Sequence, residues 1–232
     1  MLSLATRQTF NCLTNYAIEI ISSDDLNIIQ PFFDRLPVDP YFDEKFRYRR
    51  FSHFSIKEGR ITQRPHVTFF QSKAYNPFLG DVYRDYPEIE PDLIHHPSFR
   101  RALLTFFDFC HLCSPIDTVG VHQIRVTTSK QKERPPAPEG IHQDGVDVVG
   151  ILCINRHNLA GGETHLYPSS DGNPIFSKIL NIGEFLIFND HQVSHFTTAI
   201  RPAVGQKGYR DVFVFTCPDI PFEPNQDNTA LN

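Results

Sequence analysis

The stretch PEGIHQDGVDVVGIL, Pro138–Leu152, begins as a proline-bearing loop and ends as an apolar run. The nearly unbroken apolar residues Val146–Ile154 predict a strand buried on both faces. His142 and Asp144 stand at its mouth, one residue apart. In extended chain, residues i and i+2 project to the same face, so the imidazole and the carboxylate point together. Two ligand-capable side chains on one face invite a third from a neighbouring strand. An H-x-D pair alone is a short motif that chance supplies, and a turn or surface role stands beside the metal reading.

Working outward, the chain from Asp117 on reads as β. In Asp117–Thr128, Val119, Val121, Gln123, Arg125 and Thr127 share one face, while His122, Ile124 and Val126 share the other. Thr164–Tyr167, Asn181–Phe188, Gln192–Thr198 and Arg210–Cys217 are further predicted strands, separated by Gly-bearing turns. Upstream, Phe46–Ile56 and His66–Gln71 are predicted strands, and Ser23-Asp24-Asp25 is a predicted cap for a short helix carrying Leu26, Ile29 and Phe33. Pro97-Ser98 opens the clearest helix, where Phe99, Leu103, Phe106 and Cys110 recur at helical spacing. Short strands with helices kept to the N-terminal half predict a mainly β fold, a sandwich or barrel flanked by helices. One domain over residues 1–232 is expected: a flanking part with the first strands over 1–116, a β core over 117–218 and a loose tail over 219–232.

Composition narrows the class of partner. With a net charge of −5, 40% hydrophobic and 21% charged residues, the chain resembles an ordinary globular protein and argues against nucleic-acid or anionic-membrane binding. No apolar run reaches the length of a membrane span, and the first residues lack a secretory pattern, so a cytoplasmic location is expected. Five cysteines with no disulfide spacing fit a reducing compartment. Cys110 and Cys113 form a C-x-x-C at a helix end without a second pair, which favours packing over zinc or redox chemistry. Monomer and homodimer both stay open.

The third ligand and an anchor for a charged co-substrate are sought downstream. His191 and His195 both follow, the second 51 residues after Asp144 (195 − 144), and Arg210 comes 15 residues after His195 (210 − 195). Arg210 opens an apolar strand, RDVFVF, where a buried cation demands a partner. A dicarboxylic molecule would supply one through a paired hydrogen bond. Two histidines and a carboxylate on one side of a metal, with open positions opposite, are the signature of non-haem Fe(II) oxygenases. A zinc hydrolase with the same ligands would have no use for Arg210.

At these residues the chain resembles a known family. PEGIHQDGVDVVGILCINRHNLAGGETHLY (138–167), VSHFTTAI (193–200) and GYRDVFVF (208–215) are similar to the 2-oxoglutarate/Fe(II) dioxygenases that include bacterial L-isoleucine 4-hydroxylase and related free-amino-acid hydroxylases. Gln123–Val126 and Gln71–Asn76 also resemble that family. Ala199 departs from it, standing where members often carry proline between Thr and Ile. The resemblance implies a double-stranded β-helix, or jelly roll, with iron near its mouth. It implies His142, Asp144 and His195 as the iron ligands, His195 being preferred to His191 by its place before Thr198-Ala199-Ile200. It implies Arg210 as the grip on the distal carboxylate of 2-oxoglutarate. The implied reaction consumes O2 and 2-oxoglutarate, releases succinate and CO2, and hydroxylates an unactivated C–H bond.

The prime substrate implied is a small free L-amino acid, aliphatic or thioether-bearing. The same chemistry on an amino-acid derivative or peptide is the alternative, and a non-catalytic jelly-roll binding module is a third. Gln123, Arg125 and Glu139 are candidate substrate contacts: Arg125 for a carboxylate if its strand face turns inward, Glu139 for an ammonium. An exterior polar face is the competing reading for the first two, and a solvated loop for the third. Asp190 is expected to orient a ligand histidine. The polar, proline-rich Ser129–Gly140 is expected to close over the substrate as a lid.

Overall fold

The computed structural model describes residues 15–130, 132–168 and 172–221. Along the chain run β1 (Tyr16–Ile20), α1 (Ser23–Ile29), a 3-10 turn (Gln30–Arg35), β2 (Arg47–Lys57), β3 (Arg60–Gln63), α2 (Pro91–His95), α3 (Pro97–Cys113) and β4 (Thr118–Ser129). Then follow β5 (Val148–His157), β6 (Leu159–Gly161), β7 (Glu163–Tyr167), β8 (Phe176–Ile179), β9 (Glu184–Asn189), β10 (Ser194–Thr197), β11 (Ile200–Pro202) and β12 (Lys207–Cys217).

Seven strands form the large antiparallel sheet in the order β1-β9-β5-β12-β4-β2-β3. The smaller leaf comprises β10-β7-β8 and the pair β11-β6. The strand period of two divides the large sheet's residues between two environments. On one face Phe213, Phe215, Phe185 and Leu152 pack against Phe99, Leu103, Phe106 and Cys110 of α3, all fully buried. On the other face Ile124, Val126, Ile151, Leu186, Phe188 and Val212 pack toward Leu166 of the small leaf. The predicted helix is therefore an outer buttress, and the barrel interior lies on the opposite side of the same sheet.

Differences from the sequence reading have local causes. The cap of α1 is Ser22, whose hydroxyl accepts the Asp25 N–H at 3.2 Å. His66–Gln71 is not a strand: Pro65 precedes it, and only Phe69 pairs, bridging Arg84. Phe69 and Gln71 turn their side chains into the barrel cavity instead. Strands β1, β3, β6, β8 and β11 are three to five residues long, too short for alternation to reveal them. Cys110 is fully buried in the helix–sheet core, where burial pushes its thiol pKa up. Cys12 and the C-terminal tail from 222 lie outside the described residues. No described helix is long and apolar enough to cross a membrane.

Candidate active site

His142 and Asp144 precede β5 rather than belonging to it, since that strand starts at Val148. Their convergence comes from a single antiparallel bridge. The His142 N–H donates to the His195 carbonyl at 3.1 Å, and the His195 N–H returns a bond of 2.8 Å. The two imidazoles therefore stand side by side, ring centroids 4.2 Å apart. The Nδ1–H of His142 donates to the Gly140 carbonyl at 2.9 Å, which leaves Nε2 as its free donor atom. That Nε2 lies 3.5 Å from Asp144 Oδ1, and His195 Nε2 lies 3.9 Å from Asp144 Oδ2. The ligand atoms of the three residues fall within 4.8 Å of one another, a set able to hold a metal ion.

Charge follows from that crowding. Burial works against a proton on His142, yet the neighbouring carboxylate outweighs it and raises its pKa to about 9. Burial, then the charge on His142, lowers His195 to about 3. Asp144 is held well below the usual carboxylate range: burial opposes this, but the two imidazoles prevail. A divalent cation would replace the proton in this cluster.

Asp190 fixes the backbone beneath the cluster. Its Oδ2 accepts the N–H groups of Asp144 and Gly145, each at 2.9 Å, and of Val146 at 3.3 Å. Gly145 permits the turn with φ +79°, and a side chain there would strike the Tyr75 ring. Asp190 Oδ1 stays 3.9 Å from His195 Nδ1, too long for a hydrogen bond, and both atoms are buried without a partner. The expected orienting bond to the histidine is thus replaced by a clamp on the 144–146 chain. His191 points away, donating from Nε2 to Asp147 at 2.9 Å.

A cavity of about 110 Å³ opens beside these three side chains. Arg210 reaches it from β12 and is only 4% exposed. Its Nε and Nη2 have no hydrogen-bond partner, and burial brings its pKa down to about 10. Ile124, Val126, Ile151 and Val212 form the apolar wall around it. An unpaired buried guanidinium within an apolar wall fits a carboxylate-bearing guest.

Gln123 and Arg125 face the other way, so neither lines the cavity. The Gln123 amide donates to the Phe32 carbonyl at 3.2 Å. Arg125 donates to both carboxylate oxygens of Asp211, at 2.6 and 2.7 Å, and to Asp34 at 2.8 Å. The face carrying His122, Ile124 and Val126 is the inner one. The alternation was right; the choice of face for a substrate carboxylate is corrected by the α3 side of the sheet.

Glu139 does line the cavity, accepting from the Asn76 amide at 2.8 Å. Asn76 also donates to Gln71 at 3.1 Å, and Gln71 donates to the Asp144 carbonyl at 3.2 Å. The sequence marked Gln71–Asn76 without assigning it; the structure makes it a polar chain from the loop to the metal-capable cluster. Across the cavity stand Arg47, Arg49, Arg84 and His122, all buried, which sequence reading missed because no motif joins β2 to the loop at residue 84. The loop 129–140 is tied at Arg134, which exchanges backbone bonds with Ile200 at 2.9 and 3.0 Å. Pro136, Ala137 and Glu139 beyond that tie cover the cavity.

Comparison with known proteins agrees with this architecture. The model of the 2OG-Fe dioxygenase family matches residues 30–216. A protein of Pantoea ananatis (strain AJ13355), named 3(1)-hydroxy-L-isoleucine 4-dioxygenase, is 26% identical over 215 residues, covering 89% of this chain and 84% of the relative. An L-isoleucine-4-hydroxylase of Bacillus thuringiensis is 25% identical over 154 residues, 64% of each chain. The crystal structure of a bsmA homolog from Methylobium petroleophilum PM1 superposes with a TM-score of 0.77 at 23% identity, over 91% of both chains.

Proposed function

Because this chain belongs to the 2OG-Fe dioxygenase family, an enzyme family that uses iron and 2-oxoglutarate, we propose that it hydroxylates an unactivated C–H bond of a small free L-amino acid. Aliphatic side chains are the preferred class, with thioether sulfoxidation as the related outcome. The observation that carries this reading is the pairing of two features in one cavity. A cluster of two imidazoles and a carboxylate stands beside Arg210, whose buried Nε and Nη2 have no hydrogen-bond partner among the described residues. His142, Asp144 and His195 would hold the iron, and Arg210 would hold a carboxylate of 2-oxoglutarate. Bound iron and 2-oxoglutarate supply the O2 activation that breaks the C–H bond.

The protein's own contribution is placement and exclusion of water. The His142–His195 backbone pair sets the spacing of the imidazoles, and Asp190 holds the Asp144 segment against them. Gly140 fixes the protonated nitrogen of His142 as Nδ1, which directs Nε2 to the metal. Ile124, Val126, Ile151 and Val212 keep water from the Arg210 ion pair, strengthening it. Pro136, Ala137 and Glu139 close the mouth over the substrate. Support for a free amino acid comes from the names of the relatives, one for L-isoleucine and one for its hydroxylated form.

The test is succinate formation by iron-loaded protein supplied with 2-oxoglutarate, O2 and free L-amino acids one at a time. Strong stimulation by an aliphatic member, with a product heavier by one oxygen, is expected. Turnover that ignores every free amino acid moves the substrate to a derivative or peptide.

A further inference from the structure

The cavity has a second cationic pole apart from Arg210. Arg210 on β12 and Arg47 and Arg49 on β2 lie on opposite sides of β4, with Val126 registered against both Arg210 and Arg47. Two strand spacings, roughly 10 Å, separate those backbones. Arg47 is accounted for: its Nε lies 3.5 Å from Asp39, and it donates to the Pro136 carbonyl at 2.9 Å. Arg49 and Arg84 are not. They are 6% and 2% exposed, and neither forms an ion pair among the described residues.

Neutral groups hold this pair in place. Arg49 donates to His122 Nδ1 at 2.7 Å, a bond that requires Nδ1 to be unprotonated. Burial, then the charge of Arg49, lowers the His122 pKa well below its ordinary value, so the ring stays a neutral acceptor. The Arg49 guanidinium lies 4.4 Å from the Tyr86 ring centre, and Arg84 lies 4.7 Å from that of Phe69. Arg84 makes a long contact of 3.4 Å to the Gln71 side-chain oxygen Oε1, and the neutral Tyr86 hydroxyl serves both arginines, 3.4 Å from Arg49. The Nε atoms of both arginines are buried with no hydrogen-bond partner. Two like charges forced together and left unpaired destabilise the protein unless an anion joins them.

We propose that Arg49 and Arg84 together form the seat for the carboxylate of the prime substrate, with Glu139 across the cavity facing its amino end. This rests on the oxygenase reading of the neighbouring cluster. It makes a carboxylate, rather than a particular side chain, the first requirement for entry. It also assigns the two poles separately: Arg210 to the co-substrate, Arg49 and Arg84 to the molecule that is oxidised. His122 is a positioning residue, acting through Arg49.

The test uses iron-loaded full-length protein with 2-oxoglutarate and three pools of probes: free L-amino acids, their carboxamides, and their N-acetyl derivatives. Succinate release is expected with a carboxylate-bearing pool and not with the carboxamides. Stimulation by N-acetyl derivatives alone would defeat the free-amino-acid reading and leave the carboxylate seat standing. Equal stimulation by carboxamides, or none by any pool, overturns the seat. In the second measurement, Arg84→Met and Arg49→Met each raise the half-saturating concentration of the active pool about 10- to 100-fold. Neither changes the 2-oxoglutarate requirement. A raised 2-oxoglutarate requirement in Arg84→Met would give the pair to the co-substrate and refute the assignment, while the pool experiment on unaltered protein stands if a variant fails to fold.

Discussion

Arg125, half-buried, and Arg210, buried, stand on neighbouring strands of one sheet, and they do opposite things. Asp211 is the register partner of Arg125, and Arg210 is that of Val126, so the two guanidiniums leave the sheet from opposite faces. On the helix side, Arg125 is saturated by Asp211 and Asp34. On the barrel side, Arg210 has two nitrogens without a partner. Paired, a buried cation ties elements together; unpaired, it is a receptor awaiting an anion. The difference teaches that charge and burial alone do not mark a site. The missing counter-charge does.

The comparison predicts that damage on the two faces will separate function from stability. The largest effect is on the barrel side: Asp144→Ala removes the carboxylate from the ligand cluster and is expected to abolish succinate formation while the melting temperature changes little. On the helix side, Phe106→Ala opens a cavity between α3 and β12, where the Phe106 and Phe215 rings lie 5.4 Å apart. A loss of about 3–5 kcal/mol is expected by denaturant titration, with the 2-oxoglutarate requirement unmoved. Arg125→Met strands the Asp211 carboxylate, which is fully buried, and should also cost roughly 3–5 kcal/mol.

Arg210→Met sharpens the contrast. It removes a guanidinium that has no ion pair among the described residues, so stability should hold or rise. The 2-oxoglutarate concentration for half-maximal turnover should rise about 10- to 100-fold, the loss expected for a charge-assisted bond. If Arg210→Met melts the protein as Arg125→Met does, the distinction fails.

The smallest effect concerns pH. The Arg101 hydrogen bond lowers the Asp25 pKa to about 2, against an ordinary value of 3.8. A folded value below the unfolded one stabilises the protein above the unfolded value and is lost as pH falls through the folded one. Acid melting between about pH 4 and 2 should therefore be shallower in Asp25→Asn, while turnover at neutral pH is unchanged. Arg101 is exposed, so solvent screening keeps the effect small.

Much of this was legible in sequence where one physical rule acts alone. The helical spacing of Phe99, Leu103, Phe106 and Cys110 predicted α3, and the apolar run after Asp144 predicted β5. His142 and Asp144 stood out as an H-x-D pair, while the choice of His195 over His191 came from the family resemblance and not from spacing. What stayed hidden depends on which side of the sheet the helix takes. Alternation separated Gln123 and Arg125 from His122 and Ile124 correctly, yet it gives no sign for inside. Arg49 and Arg84 were invisible for another reason: they meet over Phe69 through the fold and share no stretch of chain.

The backbone pair between His142 and His195 has a consequence for how such a chain can vary. Because two hydrogen bonds set the gap between the ligands, the contour length of the chain joining them is largely free. Doubling a flexible loop costs only about 0.6 kcal/mol in closure entropy. Insertions at the turns between Asp144 and His195 should therefore be absorbed. A single residue added between His142 and Asp144 would instead carry Asp144 out of register with the Asp190 clamp and away from the two imidazoles. Length is cheap between the two histidines, and the short step from His142 to Asp144 is not.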